Sequence, residues 1–169
     1  DRQSHTPMRG VTFEIFRDGT SIGRYETDGN GEILLTGIEP GTYRAVEADT
    51  GDGSHILDDS YQEVELVAGG GIKPLVFFND TKPGLKLVKV GSTDMDKAIP
   101  GAVFEIEAVD RSYGPQQFIT DANGEIDLSD LPTGSYVVTE LECNGYVIDD
   151  AQRIIHLRAN DTAEFVFTN

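Results

Sequence analysis

The sequence predicts an all-β protein made of two tandem antiparallel β-sandwiches. Three observations point there: apolar residues alternating with a period of two, turn residues recurring every 8 to 12 positions, and an internal repeat spanning the whole chain. Residues 10–15 read GVTFEI and residues 101–106 read GAVFEI; residues 27–43, TDGNGEILLTGIEPGTY, are answered by 120–136, TDANGEIDLSDLPTGSY. Glu47 and Glu140 each stand four residues after the matching tyrosines, Tyr43 and Tyr136. The segments ILDD (56–59) and VFFND (76–80) correspond to VIDD (147–150) and FVFTN (165–169). The offset stays between 89 and 93, so the expected domains are residues 1–82 and 83–169, joined near Asp80-Thr81-Lys82-Pro83-Gly84.

Each strand has its own warrant. VTFEIF sets Val11, Phe13 and Ile15 on one face against Thr12 and Glu14, and AVFEIEAV repeats the pattern. TYRAVEA and SYVVTEL, YQEVELV and RIIHLRA, and PLVFF and AEFVF supply further paired candidates. No segment has convincing helical periodicity. Asp28-Gly29-Asn30-Gly31, Asp121-Ala122-Asn123-Gly124 and Gly69-Gly70-Gly71 are expected to be hairpin turns. Alternating oxygen donors at Asp28, Asn30, Glu32 and at Asp121, Asn123, Glu125 admit a calcium reading, but the loops are too short and too weakly charged for a full coordination sphere.

Composition narrows the function. The 169 residues carry 13 Lys and Arg against 30 Asp and Glu, a formal net charge of −17. With 7 basic and 15 acidic residues in 1–82, and 6 and 15 in the rest, the halves carry −8 and −9. Nucleic acid is excluded as a partner because phosphate binding needs clustered Lys and Arg, and an anionic membrane surface is disfavoured for the same reason. No run approaches the length of a membrane span, and no signal peptide is visible, which suits either a cytosolic protein or a fragment of a processed chain. The lone Cys143 allows no internal disulfide. His5, His55 and His156 are scattered, no nucleophile elbow is present, and no Lys-Ser/Thr follows the triple glycine.

LKLVKVGSTDMDKAIPGAVFEI, then TDANGEIDLSDLPTGSYVVTE, then NGY and a closing FVFTN together resemble the Cna-B (SpaA-like, prealbumin-like) repeat of Gram-positive surface proteins. The resemblance covers residues 84–169 completely and residues 1–80 from the first loop onward. It implies a sandwich of reverse-Ig, prealbumin-like type, serving as a stalk or pilin module of an extracellular, cell-wall-anchored adhesin. It also implies a self-formed Lys–Asn isopeptide bond promoted by a buried acid, with no cofactor and no metal. Carried onto this sequence, the donor is Lys89, the promoting acid Glu140 and the acceptor Asn169. Lys86 is the competing donor; odd spacing puts the two lysines on opposite strand faces, and Lys89 is preferred for its spacing to IPGAVFEI. Val90-Gly91 and Cys143 depart from the family pattern, and neither is expected to touch the three reactive residues.

The chemistry explains the residue types. An ammonium cannot attack a carboxamide, and burial among apolar groups shifts lysines and carboxylic acids toward their neutral forms. Phe104, Tyr136, Val138, Phe165 and Phe167 are the expected surround, with the acid hydrogen-bonded to the Asn169 amide oxygen. The event is a single turnover, so the chain is not an enzyme. In the first repeat the equivalents are Glu47 and Asn79, and the equivalent of Lys89 falls two places before residue 1. Lys73 and Lys82 are poor substitutes, so no internal crosslink and an incomplete first strand are expected there. Truncation is one source of that gap; a strand arriving from another molecule is the other. The implied partners are neighbouring domains of the same surface protein. The alternative functions are an adhesin region binding host extracellular matrix protein and an accessory sandwich on a larger secreted enzyme; a wall anchor, matrix binding or a catalytic domain would separate the three.

Overall fold

The computed structural model describes residues 1–95, 97–148 and 151–169. Asp149 and Asp150 of the VIDD match lie outside the described residues. The chain forms two compact units, Asp1–Thr81 and Lys82–Asn169, and is all-β.

Unit 1 contains β1 (Thr12–Arg17), β2 (Thr20–Glu26), β3 (Gly41–Asp49) and β4 (Tyr61–Leu66) in one antiparallel sheet of order β2-β1-β3-β4. Strand β1 alternates because Phe13 and Ile15 face inward onto Tyr43 and Ala45 of β3. Asp18 and Gly19 close the β1–β2 hairpin with positive φ at both positions, 50° and 81°, matching the right-handed twist of the flanking strands. Tyr43 anchors β3 by donating its hydroxyl to the Glu39 carbonyl at 2.7 Å. Ile33, Leu35, Leu75 and Phe77 pack on this core but are only partly buried.

Unit 2 contains β5 (Gly84–Val90), β6 (Val103–Ala108), β7 (Gln116–Ile119), β8 (Glu125–Leu128), β9 (Gly134–Glu142), β10 (Arg153–Leu157) and β11 (Thr162–Thr168). A four-stranded sheet, β10-β9-β6-β7, faces a three-stranded one, β11-β5-β8. Leu85, Leu87, Phe104, Ile106, Tyr136, Val138 and Ile155 are fully buried between them. Tyr136 repeats the Tyr43 anchor, donating to the Pro132 carbonyl at 2.8 Å.

The expected all-β class holds, and details within it need correction. The sandwich is not wholly antiparallel: β5 and β11, the first and last strands of unit 2, pair in parallel from Thr162 opposite Gly84 to Thr168 opposite Val90. The Asp121–Gly124 turn is not a hairpin within one sheet, because β7 and β8 belong to different sheets; it is a corner between layers, and Gly69–Gly71 precedes a segment that pairs with no strand. PLVFF of unit 1 forms no strand, although its counterpart β11 does; alternation makes a strand only where a neighbour completes the ladder.

Candidate functional site

Lys89, Glu140 and Asn169 meet inside unit 2, each delivered by a different element. Leu85, Leu87 and Lys89 share one face of β5, and all three are fully buried. Lys86, on the other face, instead makes a 2.8 Å ion pair with Glu125 at the surface. Two backbone bonds fix Lys89: its N–H donates to Gly124 at 2.7 Å, and its carbonyl accepts from Ile99 at 2.9 Å. The close approach requires glycine at 124. Its φ is +73°, and a Cβ there would stand 2.6 Å from the Lys89 carbonyl oxygen. The layer-joining turn is thus also the clamp on Lys89. Its aspartate serves the turn: one Asp121 carboxylate oxygen accepts from the amides of Asn123 and Glu125, as Asp28 does for Asn30 and Glu32.

Glu140 comes from β9 in the opposite sheet, in register with Phe104 of β6. Its side chain is fully buried, and that of Lys89 is 1 % exposed. Asn169 follows β11 directly; its amide donates to Val90 at 3.3 Å, and its carbonyl accepts from Ser92 at 2.7 Å. Lys89 Nζ lies 3.0 Å from Glu140 Oε1 and 3.1 Å from Oε2, and donates to Asn169 Oδ1 at 2.6 Å. Asn169 Nδ2 donates to Glu140 Oε1 at 2.9 Å. The acid therefore faces the amide nitrogen, while the lysine faces the amide oxygen, the reverse of the expected acid-to-oxygen contact. Of the expected apolar surround, the Phe104 ring centre lies 5.9 Å from Lys89 Nζ and meets Phe167 edge to face at 4.9 Å; Tyr136 and Val138 are fully buried, and Phe165 is partly buried.

Val90 and Cys143, expected to touch none of the three residues, both do: the Val90 carbonyl accepts from the Asn169 amide, and Cys143 hydrogen-bonds Asn169. Cys143 is buried against this group: burial pushes its thiol pKa up, opposed by its hydrogen bond with Asn169, with Glu140 close enough to act on it as well. Nothing in a lone cysteine after a strand signals this.

In unit 1, Glu47 and Asn79 meet in the same way. They are 3 % and 4 % exposed, and Asn79 Nδ2 donates to Glu47 Oε1 at 2.6 Å and to the Ile56 carbonyl at 3.1 Å. Glu47 Oε1 also accepts from the Asp58 amide at 3.4 Å, whereas Oε2, equally buried, has no hydrogen-bond partner. Burial pushes the Glu47 pKa above its ordinary value, with the Asn79 bond opposing. Lys73 is exposed and takes no part. His55 is not isolated; it lies between Asp52 at 2.7 Å and Asp1 at 3.0 Å.

Fold and site together define a class: a two-layer β module whose first and last strands run side by side, with a buried amine and acid meeting a partly buried carboxamide. The SpaA prealbumin-like fold domain family matches residues 1–81 and again residues 83–169, and the chain belongs to that family. No curated protein sequence matches it. Among solved structures, it is similar to the Bacillus anthracis TIE protein (24% identity, TM-score 0.53, covering 98% of this chain and 31% of that one). It is also similar to a streptococcal ancillary pilin (21%, 0.50, 99% and 59%). A third is the shaft pilin SpaA of Lactobacillus rhamnosus GG (15%, 0.52, 96% and 88%). At these identities the likeness is one of fold. The chain spans about a third of the TIE protein's length.

Proposed function

We propose that the chain is a pair of structural modules of a Gram-positive surface protein, a stalk or pilin segment, and that unit 2 is locked by an isopeptide bond between Lys89 and Asn169. The observation that carries this reading is the contact of the buried Lys89 Nζ with Asn169 Oδ1 at 2.6 Å, bridged by the buried Glu140. Family membership and the pilin fold neighbours support the surface setting, and with it an extracellular location.

The geometry suggests the proton path. Glu140 accepts from both nitrogens that must exchange hydrogens: the lysine Nζ, which loses protons, and the Asn169 Nδ2, which leaves. Transfer from Nζ to Glu140 frees the amine lone pair for attack on Asn169 Cγ. Transfer from Glu140 to Nδ2 lets the C–N bond break, with ammonia leaving. The fold supplies proximity, for which effective molarities reach about 10⁵–10⁸ M. Because the reaction ends in a stable amide, the module turns over once and is its own substrate.

The benefit is mechanical. The bond joins residues 80 apart in sequence, on the two strands adjoining the ends of unit 2. Constraining a loop of that length contributes roughly 4 kcal/mol by chain entropy alone, and reduction cannot undo it. The test is the intact mass of the chain, expected to be one ammonia below its composition. Lys89→Ala, Glu140→Ala and Asn169→Ala should each restore the full mass; a full mass in the unmodified chain overturns the crosslink.

A further inference from the structure

We propose that Asn144 is a site of spontaneous self-modification: its turn leaves the Gly145 amide nitrogen able to close on the Asn144 carboxamide, so that, of the three asparagines followed by glycine, this one loses ammonia first in the folded chain. The proposal stands apart from the Lys89–Asn169 bond and uses none of the residues that would form it. Asn30-Gly31, Asn123-Gly124 and Asn144-Gly145 offer the same chemistry in sequence, because glycine has no side chain to shield its nitrogen. The fold separates them.

In the two repeat turns the attacking nitrogen is occupied. Gly31 N–H donates to the Asp28 carbonyl and Gly124 N–H to the Asp121 carbonyl, each at 3.0 Å. The asparagines before them are held as well: Asn30 N–H donates to Asp28 Oδ1 at 2.8 Å, and Asn123 N–H to Asp121 Oδ1 at 2.9 Å. Both glycines are also crowded, since a Cβ at 31 would meet the Met8 nitrogen at 3.0 Å and one at 124 the Lys89 carbonyl oxygen at 2.6 Å. Swinging either nitrogen onto the preceding Cγ breaks a hydrogen bond and moves backbone that has little space to move.

The third pair sits one place earlier in its turn. Tyr146 N–H donates to the Cys143 carbonyl at 3.0 Å, so the turn closes around Asn144 and Gly145 rather than through the glycine. Gly145 has φ +83°, a Cβ there would meet nothing within 4 Å, and its N–H has no hydrogen-bond acceptor among the described residues. Asn144 is exposed.

The reaction needs only water. The Gly145 nitrogen gives its proton to solvent and attacks Asn144 Cγ; the bond from Cγ to Nδ2 breaks, Nδ2 takes up a proton, and ammonia leaves a succinimide. Water then opens the ring at either carbonyl, giving an aspartate or a β-linked isoaspartate at position 144. Both products add a carboxylate, and the second also adds a carbon to the backbone path. The change falls next to Cys143, which hydrogen-bonds Asn169.

The experiment ages the full chain at mildly alkaline pH, digests it with trypsin and maps the products by fragmentation. Asn123 and Asn144 are read from the peptide 112–153 and Asn30 from the peptide 25–44. Asn144 should convert about tenfold or more faster than Asn30 and Asn123, the factor set by the backbone hydrogen bond that each slower pair must break. Synthetic peptides of residues 26–35, 119–128 and 140–148, which keep the sequence without the fold, should convert at closely similar rates. Asn144→Gln should remove the fast event and leave the slow pair unchanged. Equal rates at the three positions in the folded chain, a slower Asn144, or the same ranking in the peptides each overturns the proposal, the last because sequence alone would then account for it. A succinimide at 144 and the Lys89–Asn169 bond both lower the mass by one ammonia, but mapping assigns them to different residues, so the two ideas fail independently.

Discussion

The two units share one pattern and differ in one strand. Unit 2, with β5 in place, sandwiches a continuous core between two sheets, and its buried acid has both a cation and an amide as partners. Unit 1 has a four-stranded sheet, its tyrosine anchor and its Glu47–Asn79 pair, while residues 32–35 and 75–79, the counterparts of β8 and the end of β11, lie in no ladder, and Ile33 and Phe77 are only partly buried. The acid is therefore placed by the sheet that both units keep, whereas the carboxamide comes from outside that sheet in both. An ionisable group buried with one partner too few is the local consequence.

The largest expected consequence lies in unit 2. Lys89→Met keeps the side chain's length but removes the amine. It should cost about 4 kcal/mol or more of unit 2 stability, corresponding to roughly 15–30 °C in the melting temperature of a domain of this size. Amide hydrogen exchange in β1–β4 should not change. Loss of protection in β1–β4 as well would contradict a stabilisation confined to unit 2.

The turn glycines sharpen the comparison. Gly31 and Gly124 have nearly the same φ, +72° and +73°, but a Cβ at 31 would come no closer than 3.0 Å to Met8 and Pro7, while one at 124 would meet the Lys89 carbonyl at 2.6 Å. Alanine at either site should cost about 1–2 kcal/mol for the left-handed backbone. Gly124→Ala should in addition displace Lys89 and leave part of the chain at full mass, whereas Gly31→Ala should leave the mass unaltered.

The smallest effect is a pH slope in unit 1. Glu47 has a raised pKa in the folded unit, so the native state holds its proton at pH values where the unfolded chain has released it. Its contribution is therefore present below the ordinary value of 4.5 and is lost as pH rises through the raised folded value. Hydrogen exchange of unit 1 across that range should show protection falling as pH rises, after correction for intrinsic rates, and Glu47→Gln should flatten this component. An unchanged slope in the variant would assign the pH dependence to other groups.

Much of this was legible in the sequence, and the rest was not for identifiable reasons. The repeat and the alternation revealed the all-β sandwich class because a half-buried strand writes its period into the residues themselves. Parity along β5 also held the donor: Lys89 shares its face with Leu85 and Leu87, but Val88 and Val90 made the opposite face look equally apolar. The parallel pairing of β5 with β11 is a relation between segments 78 residues apart, and neither strand encodes its direction. Turn residues at 28–31 and 121–124 announced a reversal without saying whether the flanking strands pair or change layers. PLVFF has strand chemistry and no strand, since its ladder depends on a neighbour rather than on itself.

The central claim is the bond in unit 2, and a tryptic digest tests it most directly. A crosslinked Lys89 resists cleavage, so residues 87–97 should appear as one branch of a peptide joined to residues 159–169, one ammonia lighter than their sum, with fragmentation placing the junction between Lys89 and Asn169. Recovery of 87–89, 90–97 and 159–169 as separate peptides of full mass would contradict it.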